Sequence, residues 1–283
     1  MAANRPDKPQ RNWRGSSGRG GQGGRSGQGR PAGAYTRQDD DGPVLLFGIH
    51  AVEAALRNPD RTVTRLLLTE NAERRLAEAL AGRDVTIERV IPRDLDRKLG
   101  ADTVHQGALL ETEPLAEQTL DDLVQRSDMG PIVVLDQVTD PHNVGAVLRS
   151  AAAFGASGLV MTRRNSPPLT GVLAKSASGA LDLIPVALVQ NLSRALAELG
   201  ELGCTRIGLE GTAPHMIEDE PLTGPLAIVL GAEGKGLRQL TQETCDRLCR
   251  IATPGPLASL NVSNAAAVTL HLCAMRRSAV GGS

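Results

Sequence analysis

The stretch at residues 226–271, LAIVLGAEGKGLRQLTQETCDRLCRIATPGPLASLNVSNAAAVTLH, constrains the fold more than any other part of the chain. A short apolar run at 226–230 ends in a glycine-rich turn, Gly231-Ala-Glu-Gly-Lys-Gly236. A second run at 247–252 ends in a turn built on Pro254, Gly255 and Pro256. Ser259-Leu-Asn-Val-Ser-Asn264 then leads into an apolar, alanine-rich helix. Two strands thus end in two tight loops beside a helix start. In open α/β sheets ligands bind at the carboxyl ends of strands, and glycine there lets the backbone come close to a ligand. The stretch predicts a small-molecule pocket made largely of main chain.

The pattern repeats upstream. The apolar run at 131–136 is continuous, as in strands buried on both faces of a parallel sheet. Asp140 or Asn143 is placed to cap a helix that runs to Phe154. Strands at 158–162, 183–188 and 205–209 alternate with helices at 170–178, 192–200 and 237–245, and a last helix covers 262–276. The expectation is an α/β domain with a mostly parallel sheet and helices on both faces. A smaller α/β unit precedes it, with strands at 44–47, 63–69, 85–90 and 107–111, helices at 50–57, 71–81 and 92–99, and an internal His105-Gln106-Gly107 motif. Residues 1–42 are rich in glycine, arginine, serine and glutamine and cannot build a core. This arm reads either as a loose RNA contact made through its arginines or as a solubilising tail. The expected organisation is an arm at 1–42, a first domain at 43–113, a linker at 114–130 and a second domain at 131–278.

Composition narrows the chemistry. Trp13, Tyr35, Phe47 and Phe154 are all the aromatic residues, so a ligand base must be held by backbone and aliphatic groups rather than stacked on a ring. The net charge of -1 gives the whole molecule little steering field. Arginine far outnumbers lysine, and its planar fork suits phosphate. Cys204, Cys245, Cys249 and Cys273 form no CxxC pair and read as buried reduced thiols; no metal site is expected. No apolar run approaches the ~18 residues of a membrane span, and the N-terminus does not resemble a signal peptide, so a cytoplasmic protein is expected. The 231–236 loop lacks the GKS or GKT of a phosphate-binding ATPase loop and does not match GxGxxG. No nucleophile elbow and no HExxH are present. His142 beside Asp140 reads as a loop or capping residue, with acid–base or metal chemistry as the other reading.

Three segments, LDQVTDPHNVGAVLRSAAAFGASGLV, LAIVLGAEGKGLR and RIATPGPLASLNVSNAAAVTLH, resemble in order and spacing the motifs of the SpoU (TrmH-type) RNA ribose 2′-O-methyltransferases of the SPOUT superfamily. The N-terminal unit, with GIHAVEAAL and VHQGALLE, is similar to that family's substrate-binding domain, which resembles a small ribosomal protein. The VHQG element favours the subgroup acting on a guanosine ribose of bacterial 23S ribosomal RNA. The resemblance runs from Leu46 to Arg276 and implies a C-terminal trefoil knot, which pattern alone would never predict. It implies S-adenosyl-L-methionine as cofactor, held at Gly231, Ile251 and Leu260 with Gly211 and Thr212. It implies catalytic roles for Arg149, Asn143, Glu233, Asn261 and Ser259. The implied partners are RNA (23S rRNA or a pre-ribosomal particle) and a second copy of the chain that shares the site.

The implied reaction moves a methyl group from a sulfonium to a ribose 2′-hydroxyl. A guanidinium stays protonated below a pKa of roughly 12, so Arg149 is expected to grip the phosphate next to the target and ease formation of the alkoxide rather than act as a base. Asn143 is expected to orient the hydroxyl or Arg149. Ser263 is placed to join the catalytic loop or to cap the last helix. Two rivals stand beside this reading: a transfer-RNA ribose methyltransferase, and a non-catalytic RNA-binding or ribosome-assembly protein that keeps the fold.

Overall fold

The computed structural model describes residues 43–281 apart from Met129 and residues 256–259. The arm at 1–42 and Ser259 therefore lie outside the described residues. Two sheets form the frame. The first holds four strands in the order β1-β4-β2-β3: β1 (Val44–Phe47), β2 (Val63–Leu68), β3 (Ile87–Arg89) and β4 (Ala108–Thr112). β4 pairs antiparallel with both β1 and β2, whereas β2 and β3 are parallel. The helices of this part are α1 (Ile49–Arg57), α2 (Glu70–Arg75), α3 (Ala77–Ala81) and α4 (Pro92–Leu99). The single helix expected at 71–81 is two short ones. Thr69 caps α2 by accepting from the Ala72 N–H, and Leu76, buried at the break, turns the chain back onto the core.

The His105-Gln106-Gly107 motif has a structural task. His105 is buried; its Nδ1 accepts from the Gly107 N–H at 3.0 Å and its Nε2 lies 3.1 Å from Asp96 Oδ1. Since a backbone N–H can only donate, Nε2 carries the proton and the ring donates to Asp96. Gln106 has a positive φ of 55°, and its Oε1 accepts from the Ile49 N–H at 3.0 Å, filling the start of α1, where Gly48 has no side chain to offer. Gly107, at φ 81°, is obligatory: a Cβ there would come 2.2 Å from Thr69 Oγ1.

The second sheet has seven strands, all paired in parallel, in the order β7-β6-β5-β10-β8-β11-β9. They are β5 (Ile132–Asp136), β6 (Gly158–Thr162), β7 (Val186–Val189), β8 (Thr205–Leu209), β9 (His215–Met216), β10 (Leu226–Gly231) and β11 (Arg247–Arg250). The strand expected at 183–188 begins later, because a 3-10 turn at Ala180–Asp182 occupies the preceding chain. The two-residue β9 is too short to leave a periodic trace in the sequence. β5 and β6 are buried at every position. Their side chains alternate between two cores. Val133, Leu135, Leu159, Met161, Ile228 and Leu230 face one layer, with Val144, Val147 and Leu148 of α6 (Pro141–Ala153) and Ala266 and Leu270 of α10 (Val262–Gly281). Ile132, Val134, Val160, Ala227 and Val229 face the other, with Leu123 of α5 (Leu120–Gln125) and Leu196 of α8 (Leu192–Glu201). Each valine, leucine, isoleucine or methionine among them contributes about 1.5–3 kcal/mol relative to exposure. Helices α7 (Gly171–Ser176) and α9 (Gln239–Thr244) complete the set.

The two sheets belong to one packed unit. Arg61 and Asp182 join them through an ion pair at 2.7 Å, with only 2% and 3% of their side chains exposed. Asn58 Nδ2 adds a bond to Asp182 Oδ1 at 3.0 Å. β10 lies between β8 and β5, the latter far from it in sequence, and α10 returns to pack on α6. Both placements accord with the knotted arrangement that the resemblance implies.

Candidate active site

Because β5, β10, β8 and β11 are neighbours and parallel, their carboxyl ends share one edge. Register brings Gly231 level with Asp136 and Cys249 level with Leu209, so the loops that follow all open on that edge. Gly231, Gly211, Thr212 and Ile251, positions that the resemblance implies as cofactor contacts, lie in or next to these loops. Gly231 must be glycine, since a Cβ would meet the Gly236 carbonyl carbon at 2.2 Å. The 231–236 loop closes on itself, with the Gly236 N–H donating to the Ala232 oxygen at 2.9 Å. A Cβ on Gly236 would lie 2.9 Å from Glu210 Oε2, so the loops after β8 and β10 touch. Ile251 is half-buried, and Leu260 is 40% exposed just before α10.

Three residues widely separated in sequence meet at this edge. Asp140, rather than Asn143, caps α6: its Oδ1 accepts from the His142 N–H at 3.0 Å, and Pro141 takes the first helical position. Asn143 is therefore free to donate from Nδ2 to Glu233 Oε1 at 2.9 Å. Asn261 donates from Nδ2 to Asn143 Oδ1 at 3.1 Å and also to Glu233 Oε1. Its own Oδ1 accepts from Ser263 N at 2.8 Å and Ser263 Oγ at 2.5 Å, so Asn261 opens α10 and joins the cluster at once. A carboxylate holding two amides fixes the orientation of both, since amide nitrogens donate and carboxylate oxygens only accept.

Arg149 stands apart. It is exposed on α6 and makes no hydrogen bond or ion pair among the described residues. It lies six positions after Asn143, which is about 9 Å along the helix and about 120° around it. Asn143 therefore orients Glu233 and Asn261, not Arg149, within one chain. The exposed face of α10, which packs on α6, carries Val268, 44% exposed, Met275, 58% exposed, and His271, whose ring lies 5.4 Å from that of Phe154.

Several bracing residues escape a reading of the sequence. Arg250 Nη1 donates to the carbonyl oxygens of Ala213 at 2.5 Å and Pro214 at 2.8 Å, holding the loop after β8. Glu218 Oε1 accepts from the Ala252 N–H at 3.0 Å, holding the loop after β11. Asp136, wholly buried at the end of β5, accepts from Arg238 Nε at 2.7 Å and Arg238 N at 3.0 Å. The one trace of this in the sequence is a carboxylate closing an otherwise apolar strand. The cysteines are free thiols; burial pushes Cys245 up to about 12, and Cys249 and Cys273 each to about 11, so none is a ready nucleophile at neutral pH.

Comparison with known proteins matches this geometry to a family. The family model described as the SpoU rRNA Methylase family matches residues 130–271, and that described as RNA 2′-O ribose methyltransferase substrate binding matches residues 45–118. A 23S rRNA (guanosine-2′-O-)-methyltransferase RlmB of Vibrio cholerae is 42% identical over 83% of this chain and 98% of its own length. The protein of the same name from Shewanella oneidensis is 40% identical over 82% and 97%. Among solved structures, the SpoU methyltransferase AviRb from Streptomyces viridochromogenes, in complex with the cofactor AdoMet, superposes with a TM-score of 0.71 at 22% identity, over 84% of this chain and 92% of that one. On these matches, which take in both sheets and the edge where Asn143, Glu233 and Asn261 meet, the chain belongs to the SpoU rRNA methylase family.

Proposed function

We propose that this chain transfers a methyl group from S-adenosyl-L-methionine to the ribose 2′-hydroxyl of a guanosine in 23S ribosomal RNA, the activity in the names of its curated relatives. The observation that carries the reading is the hydrogen-bonded cluster of Asn143, Glu233 and Asn261, set against the closed 231–236 loop.

The edge fits that cofactor. The loops after β8, β10 and β11 offer main-chain groups together with the aliphatic side chains of Ile251 and Leu260. Neither Phe47, in the first sheet's core, nor Phe154, at the end of α6, offers a ring there. When bound, S-adenosyl-L-methionine supplies an electrophilic methyl on a positively charged sulfur. Gly231, Gly211, Thr212, Ile251 and Leu260 hold it; Asn143, Glu233, Asn261 and Ser259 shape the seat of the ribose. Substitution at carbon needs the 2′-oxygen close to in line with the methyl–sulfur bond, and such positioning is worth several kcal/mol of the barrier. Arg149 grips the neighbouring phosphate through its fork and lowers the energy of the developing alkoxide.

A second copy of the chain completes the site. Arg149 makes no hydrogen bond or ion pair among the described residues, and α10, which packs on α6, presents an exposed face of Val268, His271 and Met275. Pairing those faces in a homodimer buries the apolar side chains and brings Arg149 of one chain toward the Glu233 cluster of the other. Residues 43–113 hold RNA, 114–130 link, and 131–278 carry the chemistry. Work on ribosomal RNA or a pre-ribosomal particle places the protein in the cytoplasm.

The test is methyl transfer from labelled S-adenosyl-L-methionine to total RNA from cells lacking the protein, with wild type and Arg149→Ala side by side. Label at one ribose 2′-oxygen of 23S RNA, lost with the alanine variant, is the expected result. Label in transfer RNA would overturn the substrate; absence of both label and cofactor binding would overturn the enzyme.

A further inference from the structure

We propose that Asp136 and Arg238 form a positioning pair for methyl transfer: the pair sets where Glu233 stands, and through it Asn143 and Asn261. The inference rests on the reading of the Glu233 cluster given above and extends it to two residues that touch neither substrate nor cofactor.

Asp136 reaches both ends of the loop that carries Glu233. At the loop's start, β10 runs in register with β5, and Gly231 lies opposite Asp136 itself. At its end, the Asp136 carboxylate receives Arg238 through two bonds: Oδ2 from the backbone N–H at 3.0 Å and Oδ1 from Nε at 2.7 Å. Within the loop, Ala232 and Gly236 bridge, so the turn between these anchors is already closed. Its tip is left with one way to point, and there Glu233 meets the two amides.

The same carboxylate governs the other side of the cluster. Asp136 ends β5, Gln137 follows at a positive φ of 59°, and four residues after Asp136 the Asp140 side chain caps α6. Asn143 sits in the first turn of that helix. Glu233 and Asn143 are 90 residues apart in sequence but are referred to one buried group, so a shift of Arg238 moves one against the other.

The burial is lopsided in a telling way. Asp136 has no exposure, whereas the Arg238 side chain is 49% exposed. Removing Arg238 would leave a fully buried carboxylate without its counter-ion, so the pair contributes to stability. An arginine held twice by that carboxylate, at the strand ends where ligands bind, also fixes a geometry. A displacement of about 1 Å at a reacting centre can cost about 100-fold in rate.

A double-mutant cycle tests this. Single-turnover methyl transfer and equilibrium binding of S-adenosyl-L-methionine are measured for wild type, Arg238→Ala, Glu233→Ala and the double variant. Arg238→Ala is expected to slow transfer by about 10–100-fold, with cofactor affinity held within about twofold. The double variant is expected to be no more than about twofold slower than Glu233→Ala, because the arginine acts through that glutamate. Losses that multiply would overturn the pair's role while leaving the Glu233 cluster standing. A fully active Glu233→Ala would overturn the cluster and this inference together. Should Arg238→Ala fail to fold, Arg238→Lys carries the same cycle: it keeps the charge near Asp136 and removes the Nε bond, and the same two outcomes decide.

Discussion

Replacing Asp182 with alanine strips the counter-ion from Arg61 at the junction of the two sheets. The guanidinium cannot escape to water, because its side chain is only 2% exposed. It keeps weak neutral acceptors, Thr112 Oγ1 at 3.4 Å and the Glu113 oxygen at 3.3 Å, but no negative charge. Asn58 Nδ2 also loses its 3.0 Å acceptor. Two unit charges about 4 Å apart at an effective dielectric of about 20 attract by about 4 kcal/mol, the order of the roughly 3–5 kcal/mol lost when one member of a buried pair is removed. The expected loss of stability is thus about 3–5 kcal/mol, a fall in Tm of roughly 6–20 °C for a body of this size. Far-UV circular dichroism through guanidinium unfolding is the suitable probe, because the only tryptophan, Trp13, lies in the arm. A paired variant, Arg61→Met with Asp182→Leu, removes both charges and is expected to recover to within about 2 kcal/mol of wild type. A loss below about 1 kcal/mol for Asp182→Ala, or a paired variant no better than the single one, would refute the reasoning.

Gly231→Ala drives a methyl into the Gly236 backbone and is expected to weaken cofactor binding at least about tenfold, read by isothermal calorimetry; unchanged affinity would show the loop to be loose. Gly107→Ala meets Thr69 Oγ1 and imposes a disfavoured φ, for an expected cost of about 2–4 kcal/mol that Gly107→Ala with Thr69→Gly should partly relieve in a melt. The thiols give a pH prediction. Cys273 is raised to about 11, above the ~8.5 of an unfolded thiol. Its neutral form is thus favoured in the folded state, and its stabilisation, full below pH ~8.5, drains away as pH rises toward 11. Cys273→Ala should flatten the fall of the urea midpoint between pH 8 and 10.5; an unchanged slope would clear this thiol. Mixing Arg149→Ala with Glu233→Ala protein tests the shared site: if each chain lends Arg149 to its partner, mixed dimers regain part of the activity that both parents lack, and no recovery would place Arg149 and Glu233 in one chain's site.

Much was legible along the chain because it depends on local chemistry. The unbroken apolar run at 131–136 became β5, buried at every position, and the Asp140–Asn143 stretch marked where α6 begins. Period and turn chemistry also gave the strand–loop–helix order of the edge. Where local patterns failed, longer-range packing had decided: Leu76 splits what reads as one helix, and the 3-10 turn delays β7 so that Asp182 can meet Arg61. The resemblance identified Asn143, Glu233 and Asn261, but not which bonds they make.

By itself, then, the sequence determined the alternation of strands and helices, the glycines that close the 231–236 loop and the poverty in aromatics that leaves main chain to hold a ligand. Periodicity, turn geometry and composition are properties of neighbours along the chain. Only the tertiary structure decided that β10 slots between β5 and β8, that Asp140 rather than Asn143 caps α6, and that Asp136 grips Arg238 102 residues away. Those contacts depend on which buried groups find partners across the sheet, where an unpaired carboxylate or amide would cost more than the order it imposes.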